Sequence, residues 1–328
     1  MQNLIDPAIL FFVFGLLAGA LKSNLEIPPA ISRFLSLYLL MALGLKGGFA
    51  IAESGLTAQV GASLGAAVLL ALLVPVLGYL VLRRVLPPLD AVAVAATYGS
   101  VSAVTFVTTT QFLEHQGVAY GAHMAAAMAL MESPAIVLAV IAANVLRRQH
   151  ATPSARGVSA PVPLRKVLHE SLTDGAQLLL LGAMAVGLIT AEVGHAAMKP
   201  FTGDLFKGML SFFLLDMGLL AARNWQHLRG RSAWLLVYAV VGPWVHAALA
   251  LVLAIALNLS LGNAVLLMVL GASASYIAVP AVLREAIPEA SPPLYFGLSL
   301  GVTFPLNIVV GIPLYTQLAR MVMGADAG

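Results

Sequence analysis

Apolar residues fill this chain in blocks of about 20, the length that crosses a bilayer core of about 30 Å, and short polar or proline-rich breaks divide the blocks. The pattern predicts ten helices, at 8–22, 29–52, 57–83, 89–113, 119–146, 170–192, 201–222, 231–257, 262–284 and 291–320. The first is short, and the prolines of LEIPPA (25–30) set where the second begins. No regular alternation suggests strands, so the fold class is an all-α polytopic membrane protein.

Basic residues orient these spans. With the N-terminus outside, the inner loops and helix ends hold Lys22, Arg33, Arg83, Arg84, Arg147, Arg148, Arg156, Arg165, Lys166, Arg223, Arg229, Arg231 and Arg284, 13 of the 17 Lys and Arg residues. Lys46, Lys199, Lys207 and Arg320 remain outside. Excess positive charge marks the cytoplasmic side, so both termini are expected outside. One stretch reads as a linker: RRQHATPSARGVSAPVPLRK, rich in Pro, Ser and Ala. It divides the chain into a first five-helix half at 1–146, a cytoplasmic connection at 147–168 and a second half at 169–328. Five is odd, so the second half must enter the membrane inverted.

The halves share motifs. LYLLMALGLKGG (37–48) aligns with SFFLLDMGLLAA (211–222), setting Gly44 on Gly218. VSAVT (101–105) aligns with ASASY (272–276), setting Ser102 on Ser273, and MESP (131–134) aligns with VTFP (302–305). Three matches in the same order imply an inverted repeat, an arrangement in which substrate lies near the midplane where discontinuous helices of the two repeats meet. The fourth and ninth helices carry the soft spots for such breaks, Gly99, Ser100, Ser102 and Thr105 in one and Gly271, Ser273 and Ser275 in the other. Small residues of this kind also serve plain helix packing, but two clusters in corresponding places favour a binding site.

Charge at bilayer depth costs about 2.5–3.5 kcal/mol on insertion scales and points to function. Glu132, beside Ser133 and Pro134 in the fifth helix, is the foremost case. The proline leaves a carbonyl without its helical donor, so carboxylate and carbonyl together suit a sodium ion, or the carboxyl alone a proton. Asp216 and Lys46 lie at different depths and are not expected to pair with each other, and His246 and His123 read as packing residues.

Composition removes rivals. Only 9% of the 328 residues are charged against about 25% in soluble domains, and the net charge of +3 comes with no basic, aromatic-laced stretch for nucleic acid. Cysteine is absent, which excludes disulfides and thiolate metal sites. The N-terminal MQNLIDPAILFF has neither the basic start nor the cleavage site of a signal peptide and reads as a retained helix. No H-E-x-x-H, G-x-S-x-G or Walker A motif occurs, so enzyme chemistry and ATP hydrolysis are not expected.

LMALGLKGGFAI (40–51), YGSVSAVT (98–105), MESPAIVLAVIAANV (131–145) and LREAIPEASPPLYFG (283–297), in this order and spacing, resemble the sodium-dependent bicarbonate permease family of cyanobacteria. The resemblance runs through nearly all the chain except the linker. It implies ten helices in two inverted five-helix repeats, core and gate domains, a trimer in the cytoplasmic (inner) membrane of a bacterium, and an elevator-like motion carrying bicarbonate with sodium. Relatives are inhibited by a cytoplasmic PII-type protein, a possible partner here. Two departures fall at the site: Glu132 stands where the family has Asp, and Tyr276 where it has a second Asp. Ala103, Val104, Ala274 and Ala278 also thin the hydroxyl groups of the breaks.

The expected function is thus secondary active transport of a small anion, bicarbonate first. Ser102, Thr105, Ser273 and Ser275 would bind the anion with Tyr276 at the wall, and Glu132, Ser102 and Thr303 would bind the coupling cation, sodium or a proton. A carrier of small organic carboxylates, a passive facilitator and a transport-deficient sensor are the rival readings.

Overall fold

A computed structural model of the chain describes residues 6–55, 57–150, 163, 165, 169, 173, 175–225 and 232–324. Among the described residues every regular element is helical. Seven stretches are long and apolar enough to cross a membrane: Pro29–Glu53, Ala58–Leu82, Pro88–His115, Met124–Gln149, Gly175–Asp204, Ala233–Ala256 and Pro292–Met323. The elements are α1 (Pro7–Ala20), α2 (Pro29–Ser54), α3 (Ala58–Leu82), α4 (Pro88–Gly99), α5 (Ala103–His115), α6 (Met124–His150), α7 (Gly175–Lys199), α8 (Phe206–Trp225), α9 (Ala233–Ala256), α10 (Leu261–Ala272), α11 (Ala278–Ala286) and α12 (Pro292–Met323).

Local chemistry sets many of these bounds. Helices α1, α2, α4 and α12 all begin on a proline, whose missing N–H would be unpaired in a first turn anyway. The Asp6 carboxylate accepts the Ala8 amide at 2.8 Å and caps α1, and the Thr57 hydroxyl does the same for Val60 in α3. Within α12 the helix widens into π-turns at Ser299–Thr303 and Asn307–Gly311, on either side of Pro305, where a helical donor is missing. The expected helix at 170–192 differs most. Its first residues lie largely outside the described residues. Its predicted end coincides with a kink at Ala191 (φ 47°), after which helix resumes to Lys199. The linker expected at 147–168 begins later, because α6 continues to His150, and most of its remainder lies outside the described residues.

The helices pack in two groups. α1 lies along α8 and α2 along α7, and glycines make both contacts close. A β-carbon on Gly44 or Gly48 would collide with the carbonyls of Leu180 or Met184, and one on Gly15 or Gly218 with those of Leu215 or Phe12. The second group is built from α3 against α4 and α6, and from α9 against α10. α10 is buried at every position, like most of α4 and α5. The discontinuous helices are therefore shielded by continuous ones.

Charged groups find their own partners. Lys46 pairs with Glu114 at 3.2 Å rather than with Asp216, and Asp216 accepts a hydrogen bond from Ser32. Arg147 belongs to α6 and grips Glu289, between α11 and α12, through Nε to Oε1 at 2.9 Å and a second nitrogen to Oε2 at 2.7 Å. The guanidinium holds the Glu289 carboxyl below its ordinary pKa of 4.5.

Two outcomes follow from this packing. Gly48→Ala should lower thermal stability in detergent by about 1–3 kcal/mol, the usual cost of overpacking, whereas Gly65→Ala, with open space around it, should not; equal melting curves for both would show that the α2–α7 contact can yield. For the ion pair, a depressed carboxyl pKa stabilises the fold above its unfolded value, and this stabilisation is lost as pH falls through the folded value. Arg147→Gln should therefore melt below wild type at about pH 7, with the gap closing below about pH 4, and a gap that does not change with pH would leave Arg147 a packing role only.

Candidate functional site

Both soft spots are true breaks. α4 stops at Gly99, Ser100 is extended, and α5 restarts at Ala103 with Ser102 as its N-cap. α10 stops at Ala272, Ser273 is extended, and α11 begins only at Ala278. A broken backbone is tolerated at membrane depth only where protein or a wet cavity satisfies it, and here each break satisfies the other. The Ser102 amide donates to the Ser273 hydroxyl at 3.1 Å, and the Ser275 amide donates to the Thr97 carbonyl at 2.8 Å. The Asn307 amide from α12 covers the Ala272 carbonyl at 2.9 Å and is itself held by the Tyr315 hydroxyl at 3.0 Å.

The Ser102 hydroxyl accepts the Thr105 amide at 3.2 Å and the Thr105 hydroxyl at 2.9 Å. The Ser275 hydroxyl accepts the Val279 amide at 3.3 Å and so caps the other half-helix. The amides of Ala103, Val104 and Ala278 find no partner among the described residues. All three residues line one cavity of about 110 Å³. Two helix N-termini thus present partial positive charge and unpaired N–H groups to one small space, which suits an anion.

The expected residues divide between this cavity and its surroundings. Ser102, Ser275, Tyr276 and Glu132 line it. Ser273 and Thr105 stand behind it, holding Ser102 at its amide and hydroxyl. Thr303 does not line it. Its hydroxyl donates to the Ala239 carbonyl at 2.8 Å and receives the Tyr98 hydroxyl at 2.6 Å, in a buried contact that ties α12 to α9 and α4. The expected pairing of Glu132 with Thr303 around one cation is therefore not the arrangement found. The reason is that Thr303 sits in the widened part of α12, whose hydroxyl is consumed in holding neighbouring helices.

Glu132 is half-buried in α6, and Pro134 leaves the Leu130 carbonyl without its ordinary donor. Tyr276 rests its ring edge-on against Phe304 at 5.2 Å, and its hydroxyl is buried with no hydrogen bond of ordinary geometry among the described residues. Among the described residues no three His, Asp or Glu side chains cluster as a transition metal would need. His246 is buried with its Nδ1 unpartnered, and its ring lies 6.5 Å from that of Tyr98, apart from the cavity. Near the other membrane end His123 is buried, which holds its imidazole pKa below 6.5 and keeps it neutral.

Sequence reading missed three contributors. Asn307 could have been noticed as a lone amide in an apolar span. Ser36 and Gln177 line the cavity from α2 and α7, and nothing in their local sequence sets them apart.

No curated protein matches the chain. A family model described as the Na+-dependent bicarbonate transporter superfamily matches residues 7–320 of the 328. A match over nearly the whole length of a multi-pass chain makes this protein a transporter and not an enzyme. The chain belongs to the Na+-dependent bicarbonate transporter superfamily.

Proposed function

We propose that the chain is a sodium-coupled bicarbonate transporter of the cytoplasmic membrane that works by an elevator-like movement. The observation that carries this reading is the pair of half-helix N-termini at Ala103 and Ala278 facing one cavity with a single carboxylate, Glu132. The anion lies against the N-termini and the Ser102 and Ser275 hydroxyls. Sodium lies between it and Glu132, so that each ion offsets the charge of the other. Sodium takes oxygen ligands, which Glu132 and the serine hydroxyls supply, and Tyr276 closes the anion side with its hydroxyl. A proton on Glu132 is the alternative coupling ion.

An inverted repeat of two five-helix halves, ten spans in all, is supported by correspondence in the packing. The Ser102–Ser273 contact joins aligned positions, and the aligned Gly44 and Gly218 each seat a first-group helix against a neighbour, α2 on α7 and α8 on α1. In this reading α1, α2, α7 and α8 form the gate, and α3–α6 with α9–α12 form the moving core. Both termini lie outside, and a trimer and a PII-type cytoplasmic regulator follow from family likeness.

A second reading, transport of a small organic carboxylate, is favoured by one observation. Leu40, Met128, Leu180 and Ile277 make much of the cavity wall, and an apolar tail would suit them better than a third oxygen does.

Labelled bicarbonate uptake into proteoliposomes tests these readings. An inward sodium gradient should drive accumulation, and Glu132→Gln should abolish the sodium dependence; accumulation that follows a proton gradient instead would reassign the coupling ion. Ser102→Ala should raise the half-saturating bicarbonate concentration by about tenfold, as for the loss of one hydrogen bond to a charged group. Unchanged uptake by both Ser102→Ala and Ser273→Ala would remove the site from the breaks. Stronger competition by acetate or pyruvate than by unlabelled bicarbonate would favour the second reading.

A further inference from the structure

The cavity is not walled by the core alone. Ser36, in α2, and Gln177, in α7, line it together with Ser102, Ala278 and Glu132 of the core. Gln177 is 5% exposed. The buried face of α7 otherwise consists of Leu180, Ala183 and Gly187, so this is a lone amide on an apolar seam. A buried amide is costly unless it is hydrogen-bonded, and Gln177 uses its nitrogen to donate to the Ala129 carbonyl of α6 at 3.1 Å. That contact crosses from gate to core one turn before Glu132. It fixes the amide beside the cavity and orients it, as a substrate-contacting group must be oriented.

Resting on the site reading above, we propose that Gln177, assisted by Ser36, is the gate's own contribution to the substrate site: its amide contacts the bound anion from the side opposite the helix N-termini. The contact exists only while the core is docked as seen here, because the core alone carries Ser102, Ser275 and Glu132. Both gate residues lie near the membrane end that carries the linker, since Gln177 is in the first turn of α7, the first long helix after the linker, and Ser36 lies in the first third of α2, whose N-terminal end packs beside that of α7. The full site therefore forms when the core stands toward that end, and binding from that end is tighter than from the other. Separating the Gln177–Ala129 bond is part of each translocation step.

The absence of cysteine from the chain gives a direct test. Single Gln177→Cys and Ala103→Cys proteins in liposomes would be labelled with a small thiol reagent in the presence of sodium, with and without bicarbonate. Bicarbonate should slow labelling of both. Protection of Ala103→Cys alone would overturn the gate contact while leaving the core site standing, and protection of neither would overturn the site itself. Uptake supplies the second measurement. Gln177→Leu should raise half-saturation by about tenfold, Gln177→Glu should raise it further by placing negative charge against the anion, and Gln177→Asn should recover part of the loss. Half-saturation unchanged in Gln177→Leu, with Ser102→Ala shifted, would refute the proposal. Acetate in place of bicarbonate tests the gate contact equally, so the proposal does not depend on which anion is carried.

Discussion

A backbone amide left unpaired within a bilayer costs several kcal/mol, and the architecture of this protein follows from that constraint. Two helices stop in mid-membrane, and each stop leaves free carbonyls on one side and free amides on the other. Protein meets one freed carbonyl at each break. Thr97 is met by the Ser275 amide, and Ala272 by the Asn307 side chain. Three amides, at Ala103, Val104 and Ala278, are left to the cavity. The difference matters because a paired carbonyl has its negative end offset, while a free N–H group remains a partial positive charge. An anion can then be held without a single cationic side chain in the wall.

That choice bears on transport as well as binding. A lysine or arginine in the site would hold an anion strongly and would itself be a charge to move across the membrane. Partial charges from helix ends bind more weakly, and Glu132 is the one carboxylate among the residues that line the cavity. In the proposed sodium-coupled cycle the loaded site would move nearly uncharged. The first group of helices, α1, α2, α7 and α8, packs tightly for a different reason. Its glycines let α2 and α7, and α1 and α8, approach until backbone touches backbone, and such contacts have little freedom to slide. Polar contacts also bridge the seam to the second group. Lys46–Glu114 and Gln177–Ala129 are two that cross it.

Much of this was legible before any coordinates. The breaks were marked by Ser100, Ser102, Ser273 and Ser275 because an uninterrupted membrane helix has little use for such residues together. Glu132 was marked by the cost of a carboxylate at its depth. Thr303 shows how the same reasoning can fail. Its alignment with Glu132 suggested a shared ion, yet a threonine hydroxyl in a buried helix also finds nearby carbonyls, and here Ala239 and Tyr98 claim it. Alignment between repeats fixes position along a helix but not which way a widened helix turns its side chains.

The sequence by itself determined the class of molecule, the places of the seven long apolar spans found among the described residues and the two points where the backbone would yield, because hydrophobic length, proline position and serine–glycine clusters act locally. Tertiary structure alone decided that the breaks cross, that their amides share one cavity, and that Asn307, Ser36 and Gln177 join them. Those residues lie far from the breaks in the chain, and an isolated Ser or Gln carries no local signature. Only packing tells whether such a side chain faces lipid, a neighbouring helix or a bound ion.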